Sequence, residues 1–176
     1  DHLEKNNSVK ANDMLKYTTI KTNKQKIKTF KILLNLILNL PYDEQKKTVE
    51  NITGISSRKQ YPQLCLSWDE IKKLDRHSLI TIGAHTHSHP NLKQLTEEEA
   101  FSEMMQSKNK LEDQLGHSVD HFAYPFGTEN EADKKEFLLA SRCRFRTAVT
   151  TRPQTIIRQT ALNAINRLGM PSYMTP

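Results

Sequence analysis

Leu79-Ile80-Thr81-Ile82-Gly83-Ala84-His85-Thr86-His87-Ser88-His89-Pro90 joins a short apolar, β-branched run to three histidines within five residues. The run from Leu79 to Gly83 has the composition of a buried strand. The histidines follow at its C-terminal end, and Pro90 stops the strand from continuing. Neutral imidazole is the commonest protein ligand for a transition metal and also carries protons near neutral pH. In an extended backbone His85, His87 and His89 point to one side; in a tight turn or helix His85 and His89 converge. Either geometry lets at least two imidazoles meet one ion. Zinc takes four N, S or O ligands and in catalytic sites keeps one position for water. A third protein ligand must therefore come from elsewhere. Asp75, Asp120 and Asp133 are available, and nothing in the sequence singles one of them out. His87 either joins the site or faces away from it.

Working outward, helix and strand signals alternate. Ser67-Trp68-Asp69-Glu70 upstream is a capping box, in which the serine hydroxyl and the glutamate three residues on each satisfy a free backbone N–H. It predicts a short helix to about Arg76. Downstream, Thr96-Glu97-Glu98-Glu99 is a second box. Phe101, Met104, Met105, Lys108, Leu111 and Leu115 follow it at helical spacing, and Gly116 is a good stop. The methionines read as core filler. Val119 to Tyr124 predicts a second strand and Phe145 to Thr150 a third. A third box, Thr128-Glu129-Asn130-Glu131, predicts a helix to about Arg142, and a weaker helical pattern spans Ile156 to Ile165. Such alternation implies βα units with parallel strands, whose sites gather at the strands' C-terminal ends. Tyr124-Pro125-Phe126-Gly127 ends the second strand there. It is a fixed turn that can present the Phe126 backbone N–H to a developing oxyanion.

The first 60 or so residues read as helices. Ile27, Phe30, Leu33, Leu34, Ile37 and Leu38 share one helical face, Pro41 closes that helix, Asp43 can cap the next and Gly54 ends it. Residues 55–64 read as a loop. The formal charge of +6 lies in this part, with lysines at 21, 24, 26, 28 and 31. A basic patch can recruit anionic lipid or nucleic acid. Without interleaved aromatics or a nucleic-acid motif, a solvated helix face is the better reading, and no nucleic-acid partner is expected. No apolar run is long enough to span a membrane. The two cysteines, Cys65 and Cys143, form no CxxC pair and no disulfide framework.

His85-Thr86-His87-Ser88-His89-Pro90 resembles the His-Ser/Thr-x-x-His-Pro metal motif of the NodB-type polysaccharide deacetylases. Phe122-Ala123-Tyr124-Pro125-Phe126-Gly127 is similar to that family's third motif. The resemblance covers roughly residues 64–150, and the histidine element is the specific part of it. It implies an α/β fold, a deformed or partial (β/α) barrel, in residues 64–176, with residues 1–63 as a helical insertion or cap. It implies a divalent metal, zinc in the first place, held by His85 and His89, and hydrolysis of N-acetyl groups on a polysaccharide or oligosaccharide. Phe126 carries over as the oxyanion donor through its backbone N–H, with Tyr124 and Pro125 as substrate contacts. By analogy the family works on envelope or exported glycans.

The sequence departs from the family pattern. The Asp-Asp motif that supplies the general base and third metal ligand is absent. Ala123 stands where an arginine often opens the third motif, and Asn166-Arg167-Leu168 stands where a Leu-x-His is expected. Together with a first residue Asp1 rather than Met, this leads to the expectation that the chain is the C-terminal part of a longer deacetylase. The alternative is a catalytically inactive carbohydrate-binding or scaffold protein of the same fold.

Overall fold

The computed structural model describes residues 21–54 and 64–169. The chain divides into two compact units, Asp1–Pro62 and Gln63–Pro176.

The first unit is a helical hairpin. Helix α1 (Asn23–Leu38) opens with a capping box in which Thr22 accepts from the Gln25 N–H and Gln25 accepts from the Thr22 N–H at 3.0 Å. Helix α2 (Tyr42–Thr53) follows with Pro41 at its N-cap, so Asp43 sits inside the first turn rather than capping it. Proline suits this place because its fixed φ and missing N–H cost nothing there. Gly54, at φ +66°, closes the helix by donating to the Glu50 carbonyl. Lys24, Lys26, Lys28 and Lys31 are solvated. Ile27 and Phe30 are exposed too, so only the later part of the predicted apolar face (Leu33, Ile37 and Leu38) is half-buried.

The second unit begins with α3 (Trp68–Asp75), capped reciprocally by Ser67 and Glu70. Residues 79–83 do not form the predicted buried strand: Leu79 is 88 % exposed, and pairing is reduced to one parallel bridge from Ala84 to Phe122. Among the described residues this segment has a ladder partner on one side only. A strand with one edge unpaired loses half the hydrogen bonds that would hold it extended. Helix α4 (Glu97–Leu115) runs between the Thr96–Glu99 capping box and Gly116, which sits at φ +77°. Three glutamates in its first turn complement the positive end of the helix dipole. Strand β1 (His121–Ala123) leads through the Tyr124–Gly127 turn to α5 (Lys134–Arg142), and β2 (Thr147–Val149) follows.

The predicted box at Thr128 forms in half: Glu131 accepts from the Thr128 N–H and hydroxyl, but that hydroxyl accepts from the Asn130 N–H rather than that of Glu131, and only a turn results. Arg152 donates to the Ala132 carbonyl at 2.6 Å. The helix starts afresh at Asp133, whose N–H donates to Glu136. The weak helical pattern at 156–165 is irregular chain, with Ile156, Ile157 and Leu162 exposed.

β1 and β2 pair in parallel, with His121, Phe122 and Ala123 opposite Thr147, Ala148 and Val149. Ala84 bridges to one side of this pair and Ile165 to the other, both in parallel. Four parallel segments thus lie in chain order, the arrangement of an opened (β/α) barrel rather than a doubly wound sheet. Side chains alternate across it. Ala84, Phe122 and Ala148 join Met104, Leu139 and Ala140 in the core under α4 and α5. On the other face His121, Ala123, Thr147 and Val149 are half-buried and help line an open cavity of about 370 Å³. Lys108, in the apolar stripe of α4, places its ammonium over the Phe145 ring and donates to the Cys143 and Arg144 carbonyls just beyond α5. No helix among the described residues is long and apolar enough to cross a membrane.

Candidate active site at the strand ends

The bridge at Ala84 is held by its N–H donating to the His121 carbonyl and by its own carbonyl accepting from Ala123. It delivers His85 to the C-terminal edge of the sheet. The next five residues fold into a tight loop in which Thr86 (φ +63°) and His89 (φ +62°) both take left-handed backbone. Such conformations persist in L-residues only where the surroundings impose them. Thr86 is the internal tie, since its hydroxyl donates to the His85 carbonyl and accepts the His89 N–H. Leu92, 1 % exposed, anchors the exit in the core.

The loop turns the His85 and His89 rings edge to face, with centroids 4.8 Å apart. His85 Nδ1 lies 2.7 Å from the Ala123 carbonyl. A carbonyl can only accept, so Nδ1 carries the proton and the lone pair sits on Nε2, free to bind a cation or a proton. Partial desolvation, with the neighbouring His85 ring as a second cause, holds His89 below the usual histidine range, which favours its neutral form. His85, His87 and His89 are all exposed.

The second motif meets this pair directly. The Phe126 ring lies 4.9 Å from that of His89. Phe126 sits at φ +59° in a tight turn closed by the Gly127 N–H and the Pro125 carbonyl. Thr151 secures the turn from the next strand end: its hydroxyl donates to the Phe126 carbonyl and its N–H to the Gly127 carbonyl. Gly127 is at φ +68°, and a Cβ there would stand 2.8 Å from the Thr151 nitrogen, so no larger residue fits without movement. Among the described residues the Phe126 N–H has no hydrogen-bond partner. Tyr124 and Pro125 are buried. The Tyr124 hydroxyl donates to the Asn163 carbonyl, and burial pushes its pKa up. These two residues form the turn's base, and Phe126 is the residue of the motif open to solvent.

The three candidate aspartates are engaged elsewhere: Asp75 with His117 at 2.7 Å, Asp120 with Arg146 and Asp133 with Arg152. Among the described residues no three His, Cys, Asp or Glu side chains converge as a metal set. The loop also has two supports that motif reading missed. Glu103 accepts from the His87 and Ser88 N–H groups, and the Ser107 hydroxyl accepts from the His85 N–H. Ser107 left a legible trace, a small polar residue in the stripe that runs through Ala100, Met104 and Leu111.

The sequence profile of the polysaccharide deacetylases matches residues 19–148. The chain belongs to the polysaccharide deacetylase family. YxkH of Bacillus subtilis (strain 168), a protein assigned by name to the polysaccharide deacetylases, is 29% identical over 110 residues, which is 62% of this chain and 38% of that protein. A solved polysaccharide deacetylase of Bacillus cereus, BC0361, is 30% identical with a TM-score of 0.51, covering 59% of this chain and 32% of that one. The Streptococcus pyogenes deacetylase PplD, solved with acetate, shares the fold at 24% identity with a TM-score of 0.54, over 75% of this chain and 58% of that one. This deacetylase-family chain thus spans between about a third and three fifths of the length of these relatives.

Proposed function

We propose that the chain carries part of the active site of a metal-dependent hydrolase that removes N-acetyl groups from a polysaccharide or oligosaccharide. The observation that supports this most is the convergence of His85, His89 and Phe126 at the C-terminal ends of parallel strands. The two histidines would hold a divalent cation, zinc first among candidates, His85 through its Nε2. Two neutral imidazoles fit half of a tetrahedral zinc set. The remaining protein ligand and the general base would come from outside the described residues. When bound, such an ion polarises a carbonyl oxygen and makes water a nucleophile near neutral pH.

The chain's own residues do the rest. The Ala123 carbonyl fixes the His85 tautomer. The Phe126 N–H, aimed by the Thr151-secured turn, donates to the oxyanion that develops from the acetamide. The exposed Phe126 ring offers an apolar face to the sugar, while Tyr124 and Pro125 hold the turn in shape. Residues 64–176 would form the catalytic core, with residues 1–63 as a helical insertion or cap.

Calorimetric titration with zinc tests the site. The wild type should bind and His85→Ala should not; equal binding by both refutes the ligand assignment. Acetate release from N-acetylglucosamine oligomers tests turnover. Release would show that the chain holds its own general base, whereas zinc binding without release fits both a partial site and an inactive carbohydrate-binding protein of the same fold.

A further inference from the structure

We propose that Glu103 is the positioning residue of the histidine loop: its carboxylate grips the loop from outside and sets the directions in which His85 and His89 point. The inference rests on the reading of these histidines as metal ligands. One carboxylate takes three donors from the loop. Its Oε2 accepts the His87 N–H at 2.9 Å and the Ser88 N–H at 2.8 Å, and its Oε1 accepts the Ser88 hydroxyl at 2.6 Å. The His87 N–H is shared with the Glu103 carbonyl at 3.1 Å. Successive N–H groups closing on an anion form a concave seat whose bonds are shorter and stronger than neutral ones.

The grip lies on the two residues between Thr86 and His89, both held at positive φ. Thr86 can tie the loop only to itself. A bond to something rigid must hold the loop against the rest of the protein, and α4 supplies it. Glu103 is next to Met104, which is fully buried, and one turn on the Ser107 hydroxyl accepts the His85 N–H at 3.4 Å. Glu103 and Ser107 are four residues apart and so lie on one face of the helix. The loop is thereby fixed at its first, third and fourth residues by one straight element. A ligand loop held this way keeps its imidazoles preorganised, and loss of such outer supports typically weakens metal affinity by about 10–100-fold.

The test uses the full chain as wild type, Glu103→Gln and Glu103→Ala, with zinc affinity measured by competition against a chromophoric chelator. Amide hydrogen exchange at His87 and Ser88 and thermal unfolding are followed on the metal-free proteins. Glu103→Ala should bind zinc about 10–100-fold more weakly and exchange the Ser88 amide faster, the His87 amide changing less because it keeps the backbone carbonyl of residue 103, with unfolding close to wild type. Glu103→Gln, which keeps the shape and one acceptor oxygen, should fall between. If Glu103→Ala does not fold, Glu103→Gln decides alone. Wild-type zinc affinity, or unchanged protection of both amides, in the folded variants overturns the proposal. If the wild type itself binds no zinc, the metal reading fails, and amide exchange still decides whether Glu103 holds the loop.

Discussion

Gly127→Ala isolates the turn that carries Phe126. The substitution adds one methyl group, and two costs follow. The first is conformational: at φ +68° an L-residue is penalised by roughly 1–2 kcal/mol. The second is steric. The new Cβ would stand 2.8 Å from the Thr151 nitrogen and 3.2 Å from both Thr151 Cγ2 and the Tyr124 carbonyl oxygen. That nitrogen is backbone, and its N–H is bonded to the Gly127 carbonyl itself, so neither partner can retreat without breaking the clamp. Overpacking of this kind costs about 1–3 kcal/mol, for a total of roughly 2–5 kcal/mol when added to the conformational penalty. At about 3 °C per kcal/mol for a chain of this size, Tm should fall by roughly 6–15 °C.

Gly116→Ala is the internal standard, because Gly116 is at φ +77° with nothing within 4 Å of a Cβ. It should show the conformational cost alone, about 1–2 kcal/mol. Differential scanning calorimetry of both variants beside the wild type reads the difference. If Gly127→Ala melts no lower than Gly116→Ala, the close approach of Thr151 does not constrain the turn and the reasoning fails.

Two further outcomes follow from the same packing. Lys108→Met keeps an unbranched apolar stem but removes the ammonium that lies over Phe145 and bonds the Cys143 and Arg144 carbonyls. It should destabilise the protein by about 1–3 kcal/mol in urea unfolding, and a stability equal to wild type would show that water replaces those bonds freely. His117 gains a hydrogen bond to Asp75, which with the Ser118 carbonyl raises its pKa above 6.5. A raised folded value means that the contribution is fully present below the unfolded pKa and is lost as pH rises through the folded one. The Tm gap between wild type and His117→Gln should therefore close as pH is raised from 5.5 to about 9. A gap that widens over that range contradicts the pairing.

Most helix ends with a local determinant were read correctly, although Pro41 rather than Asp43 stands at the N-cap of α2. The capping boxes at Ser67 and Thr96 and the stops at Gly54 and Gly116 act over three or four residues, and each stands where its residues put it. The box at Thr128 met only half of the same local rule, because its hydroxyl accepts from the Asn130 N–H rather than that of Glu131, and it opened no helix. The run at 79–83 failed for a different reason. A strand is stabilised by its neighbours, and among the described residues this one has a neighbour on one side only.

The candidate site divides along the same line. His85, His89 and the Pro-Phe-Gly turn are contiguous motifs, so residue type and spacing were enough to mark them. Glu103, Ser107 and Thr151 lie 15 to 25 residues from the groups they hold, at separations that carry no period in the sequence.

By itself, then, the sequence determined the βα alternation, the histidine ligand candidates and the turn beside them, because each follows from short-range backbone and side-chain chemistry. Only the tertiary structure decided that the His85 tautomer is set by Ala123, that the candidate aspartates are spent on His117, Arg146 and Arg152, and that the loop hangs from α4. Hydrogen bonds between distant segments exist only after the chain has closed on itself, and those bonds aim the site.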